Sequence, residues 1–196
     1  AKKQRETLNA LTETHGSTLL EIARALWRHP IEVRKANGDR LVEFTDARLP
    51  QLAQTVLSDA PIYKELETAK ITYGLTQMRE GLGPDHPVVK RLLGSKSPQQ
   101  VASALVRSTR LQELKSNAKG EATGGLRKKL WDADAATVAA SKDPLLKFVA
   151  SYDAEVRVAR KKYEEEVQGP LKRQEERLAL ARFAVYGNTS YPDATF

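Results

Sequence analysis

A long stripe of apolar residues in the last quarter of the sequence constrains the fold more than any other feature. Between residues 145 and 163 the apolar positions alternate steps of four and three, the spacing of one face of an α-helix. The stripe continues to residue 185, and a single helix over 145–186 would be about 60 Å long. Because a helix of that length packs against several shorter ones, the sequence predicts an all-α, multi-helix domain.

The stripe has one irregularity, close to Gly169 and Pro170. Three steps of four follow one another from Ala159 to Leu171, and such a stutter locally unwinds a supercoil. Pro170 also lacks a backbone N–H, and its ring clashes with the carbonyl of the preceding turn. We therefore expect the long C-terminal helix to be kinked at this proline.

Local capping signals predict where the shorter helices begin. Ser17 is expected to cap a helix that Pro30 kinks or ends, and Thr45 or Asp46 to cap a short helix running to Leu57. Further starts combine Asp or Ser with a proline in the first turn, an arrangement that satisfies or removes backbone donors. These starts are 59–61, 85–87, 97–98, where Gln100 completes a capping box, and 143–144. A glycine-containing loop is expected at 120–125, followed by a short helix near Trp131.

An extended tail follows the long helix. Gly187 is expected to end the helix, and Pro192 forces an extended conformation on the residue before it. Strand content before residue 187 is expected to be close to nil, and a single strand is unstable alone. We predict an α-helical domain over 1–187, which is a piece of a larger protein, and a tail over 188–196 that pairs with β-structure outside this chain.

Composition and charge narrow the classes of function. The chain has no cysteine, which excludes disulfides, thiol catalysis and thiolate metal sites. No apolar run approaches the ~18 residues of a membrane span. The net charge is +7, and the excess lies in 106–131, with seven Lys or Arg against two Glu. One hypothesis is therefore a free-standing helical interaction module that binds an acidic partner or nucleic acid through 106–131, although no aromatic residues are interleaved there for base stacking.

The usual signatures of catalysis and metal binding are missing. His15, His29 and His86 are far apart in sequence and are interpreted as surface or capping residues, so no metal and no cofactor is predicted. Ser97 and Ser141 are interpreted as cap and turn residues, because no serine lies in a G-x-S-x-G turn. We assign no catalytic residue to this chain.

Four other patterns admit a functional interpretation but favour a structural one. The ATGG stretch at 122–125 lacks the rest of a phosphate-binding loop, and Glu164, Glu165 and Glu166 form a solvated run. Asn188 begins a glycosylation sequon, which matters only in a eukaryotic secretory route. Tyr152, Tyr163 and Phe183 could line a ligand groove, but at helical spacing we expect them in the core.

The C-terminal third resembles a known family. It is similar to the stretch that closes the helical domain in serine peptidase family 46, bacterial dipeptidyl-peptidases built as a chymotrypsin-like double β-barrel with a large α-helical insertion. The similarity is carried by Asp143-Pro144, the basic-acidic run at 160–165, the segment 181–184, Tyr186-Gly187 and the tail motif at 191–196. Weaker matches extend through the body of the chain, at 26–52, 58–70, 82–89, 96–106 and 108–114.

The resemblance implies a role for the chain within a larger enzyme. In the family the catalytic His and Asp precede the helical insertion and the Ser follows it, so the triad of this hydrolase would lie outside the chain. The helical domain covers the cleft and gates it, leaving room for two residues at the substrate's free N-terminus, as in an aminopeptidase that releases dipeptides. The implied partners are the β-barrel domains of the parent chain and a peptide substrate, with no nucleic acid and no membrane. A homodimer of the parent is left open, and the implied location is periplasmic or secreted.

One family feature has no counterpart here. In the family an asparagine of the helical domain binds the substrate amino group, within an Asn-Tyr-x-Lys-Asn-like segment. Asn9, Asn37 and Asn117 all lack that context. We therefore assign the role to no residue, and the substrate-binding residues of this chain stay unknown at the level of sequence.

Overall fold

Helices make up most of the residues that the computed structural model describes, which are 2–12 and 16–187. The α-helices are α1 (Lys2–Thr12), α2 (Thr18–Glu32), α3 (Leu49–Val56), α4 (Lys64–Leu82), α5 (Pro87–Leu93), α6 (Pro98–Ser108), α7 (Leu126–Trp131), α8 (Ala135–Ala139), α9 (Pro144–Ala150), α10 (Asp153–Tyr163) and α11 (Gly169–Tyr186). This confirms the all-α class. None of the described helices is both long and apolar enough to cross a membrane.

The core forms around α2. Leu19, Ile22, Ala23 and Leu26 recur at the spacing of one helical face and are almost completely buried. Helices α3, α7, α8 and α9 pack against α2, while α1 packs against α4 and α10. The centre of the domain is thus the apolar face of α2 with the shorter helices α3, α7, α8 and α9 packed around it, rather than the long C-terminal helix that the sequence singled out.

Three predicted capping signals are confirmed. Ser17 Oγ accepts a hydrogen bond from the Leu20 N–H at 3.2 Å, and α2 continues two residues past its proline before it ends. Ser97 and Gln100 form the reciprocal capping box of α6. The carboxylate of Asp143 accepts from two backbone N–H groups in the first turn of α9. In each case the capping side chain and the backbone N–H that it bonds lie within four residues of each other in the sequence.

The helix predicted to begin at 59–61 begins instead at Lys64. The reason is a contact from a distant part of the chain. The buried guanidinium of Arg127 donates to the carbonyls of Val56 and Ser58, at 3.3 and 2.7 Å. These two bonds hold the segment before α4 out of the helical conformation.

The prediction that Thr45 or Asp46 caps a helix is wrong, since α3 begins at Leu49 without a side-chain cap. Both side chains have other partners. Thr45 Oγ1 donates to the Val42 carbonyl at 2.9 Å, and the Asp46 carboxylate accepts from Arg40 at 2.6 Å. The start predicted at 85–87 is right, but its cap is the Nδ1 atom of the histidine rather than the aspartate.

The loop predicted at 120–125 contributes to a small hairpin, β1 (Lys115–Ser116) and β2 (Ala122–Gly124), which are antiparallel. Gly125 follows with a φ of 91°. A Cβ at this position would lie 2.5 Å from the Glu113 carbonyl oxygen, so no other residue fits without a backbone shift. The hairpin is a local feature that changes little of the predicted, nearly strand-free architecture.

The predicted single helix over 145–186 is broken at Ser151 and Tyr152, between α9 and α10. Tyr152 leaves the helical region, with a φ of −131°, and its ring is buried edge-on against Phe148. The helix is therefore interrupted at the residue whose ring enters the core. The helix that follows runs from residue 153 to residue 186 through one irregular turn.

That irregular turn is a π-helix at Glu164–Gln168, directly before Gly169 and Pro170. The Gly169 N–H donates to the carbonyl of Glu164, five residues earlier. Because Pro170 cannot donate and its ring crowds the preceding turn, a wider turn relieves the clash. The stutter in the sequence thus marks the extra residue of a π turn.

Helix α11 has two chemically different halves. Residues 171–177 are almost all charged or polar, whereas 178–186 are apolar on every side except for Arg182. All residues of α11 from 171 onward are exposed in the described part of the chain, Leu178 by 65% and Val185 by 72%. The expectation that the stripe packs along its whole length is therefore wrong beyond α10. The predicted tail, 188–196, lies outside the described residues.

Candidate functional site

Eight charged side chains form a continuous network that joins α2, the segment after it, α10 and the π turn. We call this set the ion network. Positively and negatively charged side chains alternate along it. In order of contact they are Lys35, Glu32, Arg157, Asp153, Arg28, Glu43, Arg160 and Glu164.

The centre of the ion network is buried. Arg28, on α2, donates from Nε to Asp153 at 2.7 Å, and its Nη2 lies 2.6 Å from the same carboxylate oxygen. The side chains are 4% and 5% exposed. Burial lowers the pKa of Arg28, and the adjacent carboxylate opposes that shift. Two charges this deep are stable only as partners, because either one alone would be desolvated without compensation.

Glu32 and Arg157 extend the network toward the end of α2. Arg157 donates to Glu32 at 2.6 Å and to Asp153 at 2.7 Å. The other oxygen of Glu32 accepts from the Leu41 N–H at 2.9 Å. Burial would raise the pKa of Glu32, but hydrogen bonds from Lys35, Arg157 and this N–H hold its pKa below the ordinary value.

Glu43 and Arg160 form the outer part of the network. Arg160 donates from both terminal nitrogens to the two oxygens of Glu43, at 2.8 and 3.2 Å. Its Nε donates to Glu164, the first residue of the π turn. Burial acts to raise the pKa of Glu43, but the bonds from Arg160 outweigh it, so the pKa is lowered. The fork-on-fork geometry fixes the segment around residue 43 against α10.

This outer part of the network lines an open cleft of 660 Å³. Arg24, Arg40 and Tyr163 contribute to its walls beside Glu43 and Arg160. The walls combine guanidinium groups, carboxylates and one phenol with the apolar side chains of Leu8, Leu41, Val42 and Val156, so the cleft offers both charged and apolar contacts. Among the described residues that line it, there is no serine, histidine or lysine that could act as a nucleophile or a base.

The structure separates the histidines that the sequence singled out. His29, on α2, stacks on Trp131 of α7 with ring centroids 3.9 Å apart, and His86 caps α5. His15 lies outside the described residues. Within residues 2–12 and 16–187 no group of three or more His, Asp or Glu side chains could hold a metal ion.

The stacked histidine makes stability depend on pH. Burial lowers the pKa of His29 below its ordinary value of 6.5, and the nearby carboxylate of Asp132 opposes the shift only in part. The unfolded chain therefore binds a proton more readily than the folded one, and stability is expected to fall as pH decreases below 6.5. Urea unfolding from about pH 5 to about pH 8 would measure this dependence. His29→Phe should reduce the slope of unfolding free energy against pH. The control His86→Asn, which keeps a capping acceptor, should retain that slope. An unchanged slope in His29→Phe would contradict the assignment to His29.

The other predicted site residues are also dispersed. Ser97 caps α6, and Ser141 Oγ accepts from the Asp143 N–H. Tyr152 is in the core as expected, Tyr163 lines the cleft, and Phe183 is 51% exposed on α11. The aromatic stripe therefore forms neither one groove nor one core. The 164–166 glutamates lie exposed on the π turn.

The basic stretch 106–131 does not form one cationic face. Arg127 is buried and donates to the backbone carbonyls of Leu111, Val56 and Ser58. Arg110 forms a two-point ion pair with Glu113, and Lys128 is paired with Asp132. One of the seven cations is thus buried and two are paired with carboxylates at the surface, and the interaction module stays a hypothesis.

Sequence reasoning missed the ion network. Its central pair is 125 residues apart in the chain, and no local pattern links the two positions. One weaker signal was present: Arg28 and Glu32, Asp153 and Arg157, and Arg160 and Glu164 are each four residues apart. This spacing puts both members on one helical face, but it is equally typical of solvent-exposed pairs.

Comparison with known protein families gives a match that covers the whole chain. A model of the family described as Peptidase S46 matches residues 1–196. No curated protein matches the chain. The match agrees with the resemblance seen in the sequence and extends it to the N-terminal helix.

Proposed function

This chain belongs to the Peptidase S46 family, and from that membership we propose that it is the α-helical domain of a serine dipeptidyl-peptidase, where it caps and gates the substrate cleft. The Ser, His and Asp of the triad would lie outside residues 1–196, and the enzyme would be periplasmic or secreted. The observation that carries the proposal is a peptidase family match over the whole of an all-α chain. Lids of this kind exclude water and complete the site on closing.

The end of α11 supports a docking role for the domain. A helix that is apolar on all sides is buried in a complete protein, whereas a polar one bridges domains through solvent. In α11 the polar half comes first and the apolar half, 178–186, follows. We infer that this apolar half packs against the β-barrel domains of the parent, and that the polar half spans the distance to them.

The ion network supports the rigidity that a cap requires. It ties α2, the segment at 40–44 and α10 through buried and two-point contacts. A domain that closes over a substrate as one body transmits the motion of α11 to the whole cap. The 660 Å³ cleft beside the network is the candidate surface for polar parts of the substrate.

The test has two arms and one matched control. The 196-residue chain alone is expected not to hydrolyse dipeptidyl chromogenic substrates with a free N-terminus, whereas the full-length enzyme hydrolyses them and is blocked by a serine-directed reagent. In the full-length enzyme, Leu178→Glu is expected to lower kcat/KM at least about tenfold, because it buries an unpaired carboxylate. The exposed residue Lys172 of the same helix gives the control, Lys172→Glu, which should have little effect.

Either of two results would contradict the proposal. Turnover by the isolated chain, sensitive to the serine reagent, would place catalysis within residues 1–196. Equal activity of Leu178→Glu and the unmodified enzyme would show that the apolar half of α11 is not part of an interface. Leu178→Glu in the isolated chain should leave stability within about 0.5 kcal/mol, since the side chain is 65% exposed there.

A further inference from the structure

The segment between α2 and α3 carries Asn37-Gly38, the one Asn-Gly pair in the sequence. Both residues are exposed and lie in a single 3-10 turn, Asn37–Asp39. A backbone hydrogen bond from the Asp39 N–H to the Ala36 carbonyl, at 2.9 Å, closes this turn. Short exposed turns of this kind open locally at little cost in free energy. Opening lets the side chain of Asn37 approach the backbone nitrogen of Gly38.

The side-chain carbonyl of Asn37 is polarised by a neighbour. Its Oδ1 accepts a hydrogen bond from the Asp46 N–H at 2.9 Å. When a nucleophile attacks an amide carbon, negative charge develops on the amide oxygen, and a backbone N–H directed at that oxygen stabilises the charge. The Cγ atom of Asn37 is therefore activated toward attack.

The backbone nitrogen of Gly38 is the nucleophile closest in sequence. Glycine has no Cβ that could obstruct the approach of its nitrogen to Cγ of the preceding residue. Asn117 provides the contrast, since it is also exposed and its Oδ1 accepts from the Lys119 and Glu121 N–H groups at 2.9 and 3.0 Å. The residue after Asn117 is an alanine, so its nitrogen is hindered.

We propose that Asn37 is a site of spontaneous deamidation. The Gly38 nitrogen bonds to Cγ of Asn37, the bond from Cγ to Nδ2 breaks, and the amide leaves as ammonia with the proton of the Gly38 N–H. The product is a five-membered imide ring. Water then opens the ring at one of its two carbonyl carbons. Opening at Cγ gives an aspartate, and opening at the main-chain carbonyl gives an isoaspartate.

The isoaspartate product reaches the ion network. Its main chain runs through the side-chain carbon, which lengthens the backbone at residue 37 by one methylene, and the 3-10 turn cannot keep its geometry. Leu41 follows closely, and its N–H donates to the buried carboxylate of Glu32 at 2.9 Å. Deamidation to isoaspartate therefore loosens the segment at 40–44. The aspartate product keeps the length of the chain and an acceptor for the Asp46 N–H, so it leaves this segment in place.

The test incubates the 196-residue chain at mildly alkaline pH, which favours attack by the backbone nitrogen. Trypsin then releases residues 36–40, because it cuts after Lys35 and Arg40. Mass spectrometry of this peptide should show a gain of about one mass unit that grows with time, and an isoaspartyl methyltransferase should label the same peptide. The rate in the folded chain should lie within about tenfold of the rate in urea, since the turn opens readily. A larger difference would show that the fold protects Asn37 and would overturn the site.

Gly38→Ala is the matched variant. A Cβ at this position would meet no atom of the described residues within 4 Å, and the φ of Gly38 is not positive, so the fold should accept alanine. The added methyl group should slow deamidation at least about tenfold. The peptide that contains Asn117 is the internal control and should stay unmodified over the same period. Equal rates in the two proteins, equal rates at the two asparagines, or no isoaspartate at residue 37 would each overturn the proposal.

A second comparison tests the consequence for the ion network. Chains that carry isoaspartate at residue 37, separated by ion exchange, should unfold at a lower urea concentration than Asn37→Asp. That variant has the same charge and a normal main chain. Identical unfolding curves would overturn the proposed loosening of the segment at 40–44.

Discussion

Replacing Glu67 by alanine is expected to lower the free energy of unfolding by about 3–4 kcal/mol, a large fraction of the stability of a typical domain. Glu67 lies on α4 but serves the start of α2. Its carboxylate accepts from Ser17 Oγ at 2.7 Å and from the Leu19 and Thr18 N–H groups at 2.9 and 3.3 Å. The side chain is 3% exposed, so its removal leaves buried donors without acceptors.

The measurement is urea unfolding followed by circular dichroism, with two comparison variants. Glu67→Gln keeps an acceptor in place and should lose roughly half as much as alanine. Glu65→Ala removes a carboxylate from the same first turn of α4, but one that is exposed, and should change stability by less than about 0.5 kcal/mol. A loss in Glu67→Ala no larger than that in Glu65→Ala would show that the carboxylate does not hold α2.

Replacing Asp153 by alanine is expected to cost about 3–5 kcal/mol, because it leaves the buried Arg28 without its partner. Arg157 loses an acceptor in the same step, since its Nε donates to Asp153. The surface variant Asp85→Ala is the control. It breaks an ion pair with Lys90 whose carboxylate side chain is 92% exposed, and should cost less than about 1 kcal/mol.

A double variant separates loss of a pair from loss of packing. Arg28→Met combined with Asp153→Leu removes both central charges and replaces them with apolar volume, so it should lose less stability than Asp153→Ala alone. If the double variant were the less stable of the two, the central pair would contribute net stabilisation beyond mutual compensation. Thermal unfolding of the three proteins at one pH gives the comparison directly.

The sequence predicted those parts of the fold whose causes are local. Ser97 with Gln100, and Asp143 with its following proline, specify helix starts within four residues. The stutter and Pro170 predicted an irregularity of the long helix at this place, which in the structure is a π turn at Glu164–Gln168. Of the starts that failed, the one at 59–61 is displaced by a side chain far away in sequence, since Arg127 binds the carbonyls just before it. The one at Thr45 and Asp46 failed because both side chains bond partners within six residues.

The contacts of the buried charges could not be predicted from the sequence for the same reason, because their partners are far apart in the chain. Arg28 and Asp153 are 125 residues apart, and Glu67 is 50 residues from Ser17. Nothing in the composition of either segment identifies the other as its partner. Sequence alone could say that these charges exist, but not that they are buried together.

The π turn also has a mechanical consequence. Helix α11 has 18 residues and is therefore about 27 Å long. Its near end follows α10, which the ion network joins to α2, and the wide turn at Glu164–Gln168 lies between the two helices. A tilt of about 10° at this turn would displace the far end of a helix of this rise by about 5 Å. A small change of angle at one turn would thus become a displacement as large as a side chain at the apolar end.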